Sequence, residues 1–246
     1  MKLKVIGTGS TGNAYLLETV DETLMIECGV NSALIIQALN FDLHKVVGCI
    51  ITHEHNDHSK SIFDIMKWGI EVYATEGTLK AKKAELSANS HAIRKNEKFN
   101  VGGFTIMAFK TIHDAADPVG YLIQHKECGL TLFLTDTAYV EYQFPGLNNL
   151  IIEANYDMKI IREKMGPDSE LKFLKNRILT SHFNIDNCIE FLNVNDLTAV
   201  NNIVLIHLSD GNSNEADFRK RVQDATGKTV HVADNGMEID FNSTPF

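Results

Sequence analysis

Four side chains able to hold a metal fall within six residues of this chain: His53, His55, Asp57 and His58, in the run His53-Glu54-His55-Asn56-Asp57-His58. In an extended segment, side chains two apart project to one face, so His53 and His55 can grip the same ion. Asp57 and His58, further round the turn, can address a second ion nearby. Imidazole and carboxylate donors suit Zn2+ and similar ions that keep a position open for water. Two such cations side by side clamp a developing oxyanion and lower the pKa of the water between them, which is hydrolytic chemistry. A polar loop that is histidine-rich by accident is the bland alternative. The placement of the run, after an apolar strand and before a helix, weighs against it.

The elements around the run are readable from pattern. Lys45–Thr52 is a continuous apolar stretch that predicts a fully buried strand leading into the motif. Ser61–Trp68 predicts the following helix, stopped by Gly69, and Glu76–Ser87 a second, charged one. Upstream, Lys2–Ile6, Tyr15–Glu18 and Leu24–Glu27 read as strands, and Asn31–Leu39 as a helix with a capping Asn. Downstream come strands at Gly103–Thr111, Val119–His125 and Leu130–Leu134, the last two joined by the turn Glu127-Cys128-Gly129, then one at Asn149–Glu153. A helical region is expected over Asp157–Lys175, interrupted at Gly166-Pro167, with further helices at Asn184–Leu192 and Glu215–Asp224. Ile203–Leu208, Thr229–Val232 and Met237–Asp240 complete the strands. Each half gives strands, helices and strands again, which predicts an α/β four-layer αββα sandwich formed by residues 1–246 as one domain.

Composition sets outer limits. The chain has 246 residues, 44% hydrophobic and 22% charged, which excludes disorder, collagen and coiled coil. Its net charge of −9, from 23 Lys+Arg against 32 Asp+Glu, repels polyanions at long range and disfavours a protein that coats long nucleic acid. Cys28, Cys49, Cys128 and Cys188 form no C-x-x-C pair and read as reduced, buried thiols. No stretch of about 18 apolar residues occurs, so neither a membrane span nor a signal peptide is expected, and the expected setting is the cytoplasm.

The run His53–His58 resembles the H-x-H-x-D-H signature of the metallo-β-lactamase superfamily. Later residues resemble its other motifs: His113 in Thr111-Ile112-His113-Asp114-Ala115, Asp136 in Thr135-Asp136-Thr137, and His207 in His207-Leu208-Ser209. The resemblance implies that His53, His55 and His113 hold one ion, that Asp57, His58 and His207 hold the other, and that Asp136 lies between them. It implies two Zn2+ per chain, with Mn2+ an alternative. His55 stands where the diiron oxygen-reducing branch would carry a glutamate, which favours a hydrolytic pair.

Narrower resemblances bear on the substrate. Glu153 in Ile152-Glu153-Ala154 and His182 in Ser181-His182-Phe183 resemble elements of the tRNase Z branch. They imply that His182 protonates the leaving oxygen while Glu153 holds its imidazole, with Asp57 accepting a hydrogen bond from the nucleophile. Gly7-x-Gly9-Ser10-x-Gly12-Asn13, Glu153-Ala154-Asn155-Tyr156-Asp157 and His207-Leu208-Ser209 are similar to the WalJ/YycJ-type exonucleases. The phage anti-Pycsar cyclic nucleotide phosphodiesterases share this scaffold and size. The expected function is therefore a metal-dependent phosphodiesterase acting on a small nucleotide, cyclic mononucleotides first, in the host cytoplasm if phage-encoded. Its relatives imply a homodimer. The alternatives are an exonuclease on DNA or RNA, a glyoxalase II-like thioester hydrolase, and a protein that sequesters nucleotides without cleaving them. His44, His91, His125 and His231 are expected at the surface or in loops, and Trp68 in the core.

Overall fold

The computed structural model describes residues 1–164 and 180–244. Among the described residues, fourteen strands form two seven-stranded sheets. The first contains β1 (Lys2–Gly7), β2 (Ala14–Glu18), β3 (Thr23–Ile26), β4 (Val46–Ile50), β5 (Val72–Thr75), β6 (Ser90–Ile93) and β14 (Glu238–Asp240), in the order β14-β1-β2-β3-β4-β5-β6. The second contains β7 (Lys98–Val101), β8 (Phe104–Lys110), β9 (Val119–His125), β10 (Gly129–Leu134), β11 (Leu147–Glu153), β12 (Asn202–Ile206) and β13 (Thr229–Val232), in the order β13-β12-β11-β10-β9-β8-β7. Helices α1 (Ser32–Ala38), α2 (Asn56–Ser59), α3 (Ile62–Lys67) and α4 (Glu76–Lys82) connect strands of the first sheet. After β11 come α5 (Met158–Lys164), α6 (Ile185–Val194) and α7 (Glu215–Thr226).

Three apolar layers hold the sandwich together. Leu3, Val5, Tyr15, Leu24 and Ile26 from one sheet meet Phe104, Ile106, Tyr121, Phe133 and Val204 from the other. Outside the first sheet, Leu16, Met25, Cys49 and Val72 pack with Ile35 of α1, Ile62 and Ile65 of α3 and Leu79 of α4. Outside the second, Leu150, Ile152, Ile203 and Leu205 pack with Ile185, Cys188 and Leu192 of α6 and Phe218 and Val222 of α7. Strands buried on both faces read as unbroken apolar runs, which is why β4, β11 and β12 stand out in the sequence. The expected four-layer αββα architecture is present.

Several local expectations are corrected. Two strands, β6 and β7, lie where none was expected, and α4 ends at Lys82 rather than Ser87 because Lys83 adopts a left-handed φ of 57°. His125 is buried at 2% exposure, bonded to Glu22 and packed against Phe104, not on the surface. Trp68 packs against the first sheet's outer core as expected, and the four cysteines are free and buried. Most of the Asp157–Lys175 region, with Gly166-Pro167, lies outside the described residues. Among the described residues no helix is long and apolar enough to cross a membrane.

Candidate metal centre

The site forms where strands of both sheets end. β4 ends at Ile50, and the chain runs through Thr52 into His53 and His55 before α2 begins. Asp57 and His58 sit on that single helical turn, so the donor run reverses direction within one loop. From the second sheet, β8 delivers His113, β10 delivers Asp136, β11 ends at Glu153 and β12 delivers His207. Asp136 and His207 leave their strands with positive φ of 45° and 55°. L-residues adopt this region at a cost, and such strain concentrates where a side chain must be re-aimed.

The structure gathers every expected donor. His53, His55, His113 and Asp136 place donor atoms within 4.8 Å of one another, and so do Asp57, His58, Asp136 and His207. Asp136 belongs to both groups. Within the first, His53 Nε2 and His113 Nε2 each lie 3.1 Å from His55 Nδ1 and 3.5 Å from Asp136 Oδ2. Within the second, His58 Nε2 lies 3.2 Å from Asp136 Oδ2 and His207 Nε2 lies 3.5 Å from Asp57 Oδ2.

The partners on the far side of the His53 and His113 rings fit a cation held between the donors. Thr52 Oγ1 donates to Glu27, so it accepts from His53 Nδ1–H at 2.9 Å. The Ser181 carbonyl accepts from His113 Nδ1–H at 2.9 Å. In the neutral rings these bonds leave bare lone pairs on His53 Nε2 and His113 Nε2, both aimed at His55. His207 Nε2 is buried with no hydrogen-bond partner among the described residues. Inward lone pairs backed by outer acceptors are the arrangement of metal-binding histidines. The charges agree. Burial pushes the Asp136 carboxyl up, but His207 and His58 outweigh it and hold the pKa well below the carboxylate range. Burial likewise lowers His53 and His113, which keeps those rings neutral and able to donate a lone pair.

Glu27 is a functional residue that sequence reasoning missed. It is fully buried, stands at φ 63° just past β3, and accepts from the Thr52 N–H at 3.2 Å and from the Thr52 hydroxyl. Its Oε1 also lies 3.4 Å from His58 Nδ1. One carboxylate thus stands behind a ring of each donor group, as a charged neighbour of His58 and through Thr52 at His53. The available signal was a carboxylate at a strand end, the same feature that marks Glu153. The glycine-rich turn is a brace. Asn13 Nδ2 donates to the carbonyls of Gly9 and Asp57 and lies 3.3 Å from His58 Nε2, while Thr8 Oγ1 accepts from the His207 N–H.

Beside the donors lies the expected pair. His182 Nδ1 donates to Glu153 Oε1 at 2.8 Å, and His207 Nδ1 approaches the same oxygen at 3.2 Å. The second Glu153 oxygen accepts from the N–H groups of Thr137 and Phe183. The His182 and His207 rings stack at 5.4 Å. Burial lowers the His182 pKa, but the charge of Glu153 and its hydrogen bond reverse this and raise it above the ordinary imidazole value.

Comparisons with known proteins bear on the fold and the family. The structure resembles YhfI of Bacillus subtilis, a metallo-beta-lactamase fold protein, with a TM-score of 0.71 at 17% identity over 97% of this chain and 98% of that one. It resembles Zn2+-bound PqqB of Methylobacterium extorquens with a TM-score of 0.71 at 14% identity, covering 98% of this chain and all of that one (100%). In sequence, the chain is 31% identical to the exodeoxyribonuclease YycJ of Bacillus anthracis over 87% of its own length and 85% of the relative's. The family model of the beta-lactamase superfamily domain matches residues 23–208, and the chain belongs to that superfamily.

Proposed function

We propose that this protein is a metal-dependent hydrolase that cleaves a nucleotide phosphodiester, with His182 protonating the leaving oxygen. The observation that carries this reading is the Glu153–His182 pair set against the donor cluster, 3.8 Å from Asp136. Glu153 occupies Nδ1, fixes the ring and favours its protonated form. Nε2 is left to face the substrate, through a side chain that is 20% exposed. An alkoxide is a poor leaving group and needs that proton, whereas a thiolate leaves without one, so the pair favours a phosphodiester over a thioester.

His53, His55 and His113 would hold one ion, Asp57, His58 and His207 the other, and Asp136 both. The chemistry supplied by a bound zinc or manganese pair is a Lewis-acid clamp on the phosphoryl oxygens and a nucleophile ready at neutral pH. Zinc in the similarly folded PqqB supports the first choice of metal. Asp57 is 26% exposed at its side chain, so its carboxylate can accept a hydrogen bond from the attacking water.

The substrate we infer first is a cyclic mononucleotide. A net charge of −9 suits a small anion held by a few pocket groups better than a long polyanion held along its backbone. A DNA end is the second reading, favoured by the identity with an exodeoxyribonuclease over most of its length. The test is turnover by zinc- and manganese-loaded protein of 3′,5′-cyclic nucleotides, labelled oligonucleotides, bis(p-nitrophenyl) phosphate and a thioester. Diester cleavage is expected. Thioester cleavage alone, or nucleotide binding without turnover, would overturn the reading.

A further inference from the structure

We propose that Tyr139, with Ile112 on the adjoining loop, is the platform on which the substrate's nucleobase stacks, an assignment that rests on the phosphodiesterase reading above. Both side chains are large, apolar and open to solvent, at 55% exposure for Tyr139 and 43% for Ile112. Ile112 directly precedes His113, and Tyr139 lies three residues beyond Asp136. Val20, Phe41 and Leu86, the most exposed of the other large apolar residues, lie on segments that bring no donor to the centre, while Leu34, Phe63 and Val194 are exposed on helices. A single exposed apolar residue is ordinary, but two on adjoining loops that each carry a donor into the centre make that rim a candidate place for an apolar part of the ligand.

The two loops are locked to each other and to the catalytic pair. The Ile112 N–H donates to Thr137 Oγ1 at 3.0 Å, and the Ala138 N–H donates to the Ile112 carbonyl at 2.9 Å. The Thr137 hydroxyl donates to the Tyr139 carbonyl at 2.8 Å, while the Thr137 N–H is held by Glu153. The backbone that carries the ring is thus set before the ligand arrives, so less order must be imposed on binding. Tyr139 stacks on no other ring among the described residues, unlike Tyr142, which leans on Phe109 and Phe144. A nucleotide whose phosphate sits on the donor cluster carries its base only a sugar away. On the His113–Asp136 side, Tyr139 and Ile112 would offer that base a surface to leave water against.

The test is kcat/KM for wild type, Tyr139→Ala and Tyr139→Phe in two arms. One compares a 3′,5′-cyclic nucleotide with the same cyclic ribose phosphate lacking its base. The other compares a DNA oligonucleotide with one ending in an abasic residue. Tyr139→Ala is expected to cut the preference for the base-bearing substrate roughly five-fold or more, through KM, and Tyr139→Phe to restore it. The arm that responds identifies whether the base belongs to a cyclic nucleotide or a DNA end. Diester turnover whose base preference is indifferent to position 139, or a Phe variant that behaves as Ala does, overturns the platform alone. A wild type that cleaves no phosphodiester overturns the underlying reading and the platform with it.

Discussion

At the scale of single residues, His182 and Glu27 make separable demands. If His182 gives its proton to the leaving oxygen, His182→Ala should slow nucleotide cleavage by roughly 10²–10⁴-fold, the usual range for a general acid. The same variant should lose far less on bis(p-nitrophenyl) phosphate, because p-nitrophenolate departs unprotonated. Comparing kcat on the two substrates checks this, and equal losses would assign His182 to positioning instead. Glu27 stands behind His58 as a charged neighbour and behind His53 through Thr52, so Glu27→Gln should weaken metal binding by about 10–100-fold while the donors stay in place. Competition against a chelator of known affinity measures it. The donor run was legible because its spacing is itself the signal. Glu27 was not, because nothing within Ile26-Glu27-Cys28 points to His58. That relation exists only once β3 pairs with β4 and sets the Glu27 carboxylate beneath the loop.

At the scale of elements, legibility followed burial. Strands with both faces covered, such as β4 and β11, announce themselves as apolar runs. β6 and β7 each stand at the edge of a sheet and read Ser-His-Ala-Ile and Lys-Phe-Asn-Val, with one fully buried residue apiece, so pattern alone could not find them. One close approach between elements lies under the donor run. A Cβ on Gly29 would stand 1.8 Å from the Asp57 carbonyl oxygen and 2.6 Å from the His58 nitrogen, both backbone atoms that cannot swing aside. Gly29→Ala must therefore push α2 away from the β3–α1 connection. Such overpacking costs typically about 1–3 kcal/mol. The thermal midpoint should fall, and metal content should fall with it because the displaced atoms belong to two donors. Unchanged metal content alongside a lowered midpoint would show that the turn is looser than this contact implies.

At the scale of the whole molecule, the repeated order of strands and helices made the sandwich legible, but not which loops would meet. The donors come from both sheets: His53, His55, Asp57 and His58 follow β4, while His113, Asp136 and His207 follow β8, β10 and β12. A bound metal pair is thus a cross-link between the two halves, made only in the folded chain, and it must stabilise that chain by mass action. At free metal 100-fold above its dissociation constant, each site contributes about 2.7 kcal/mol. In a chain of this size that corresponds to a midpoint shift of roughly 5–10 °C per site. Chelation should lower the midpoint by that order, zinc or manganese should restore it, and Asp136→Asn should shrink the shift because Asp136 belongs to both groups. Without metal, inward lone pairs and ionised carboxylates are left crowded at one end of the sandwich, so the apo protein should open first there. Hydrogen exchange should then quicken at the ends of β4, β10 and β12 before the centres of those strands. A midpoint indifferent to chelator, with uniform exchange along the strands, would mean that the cluster holds no ion and that the sheets are joined by their shared apolar core alone.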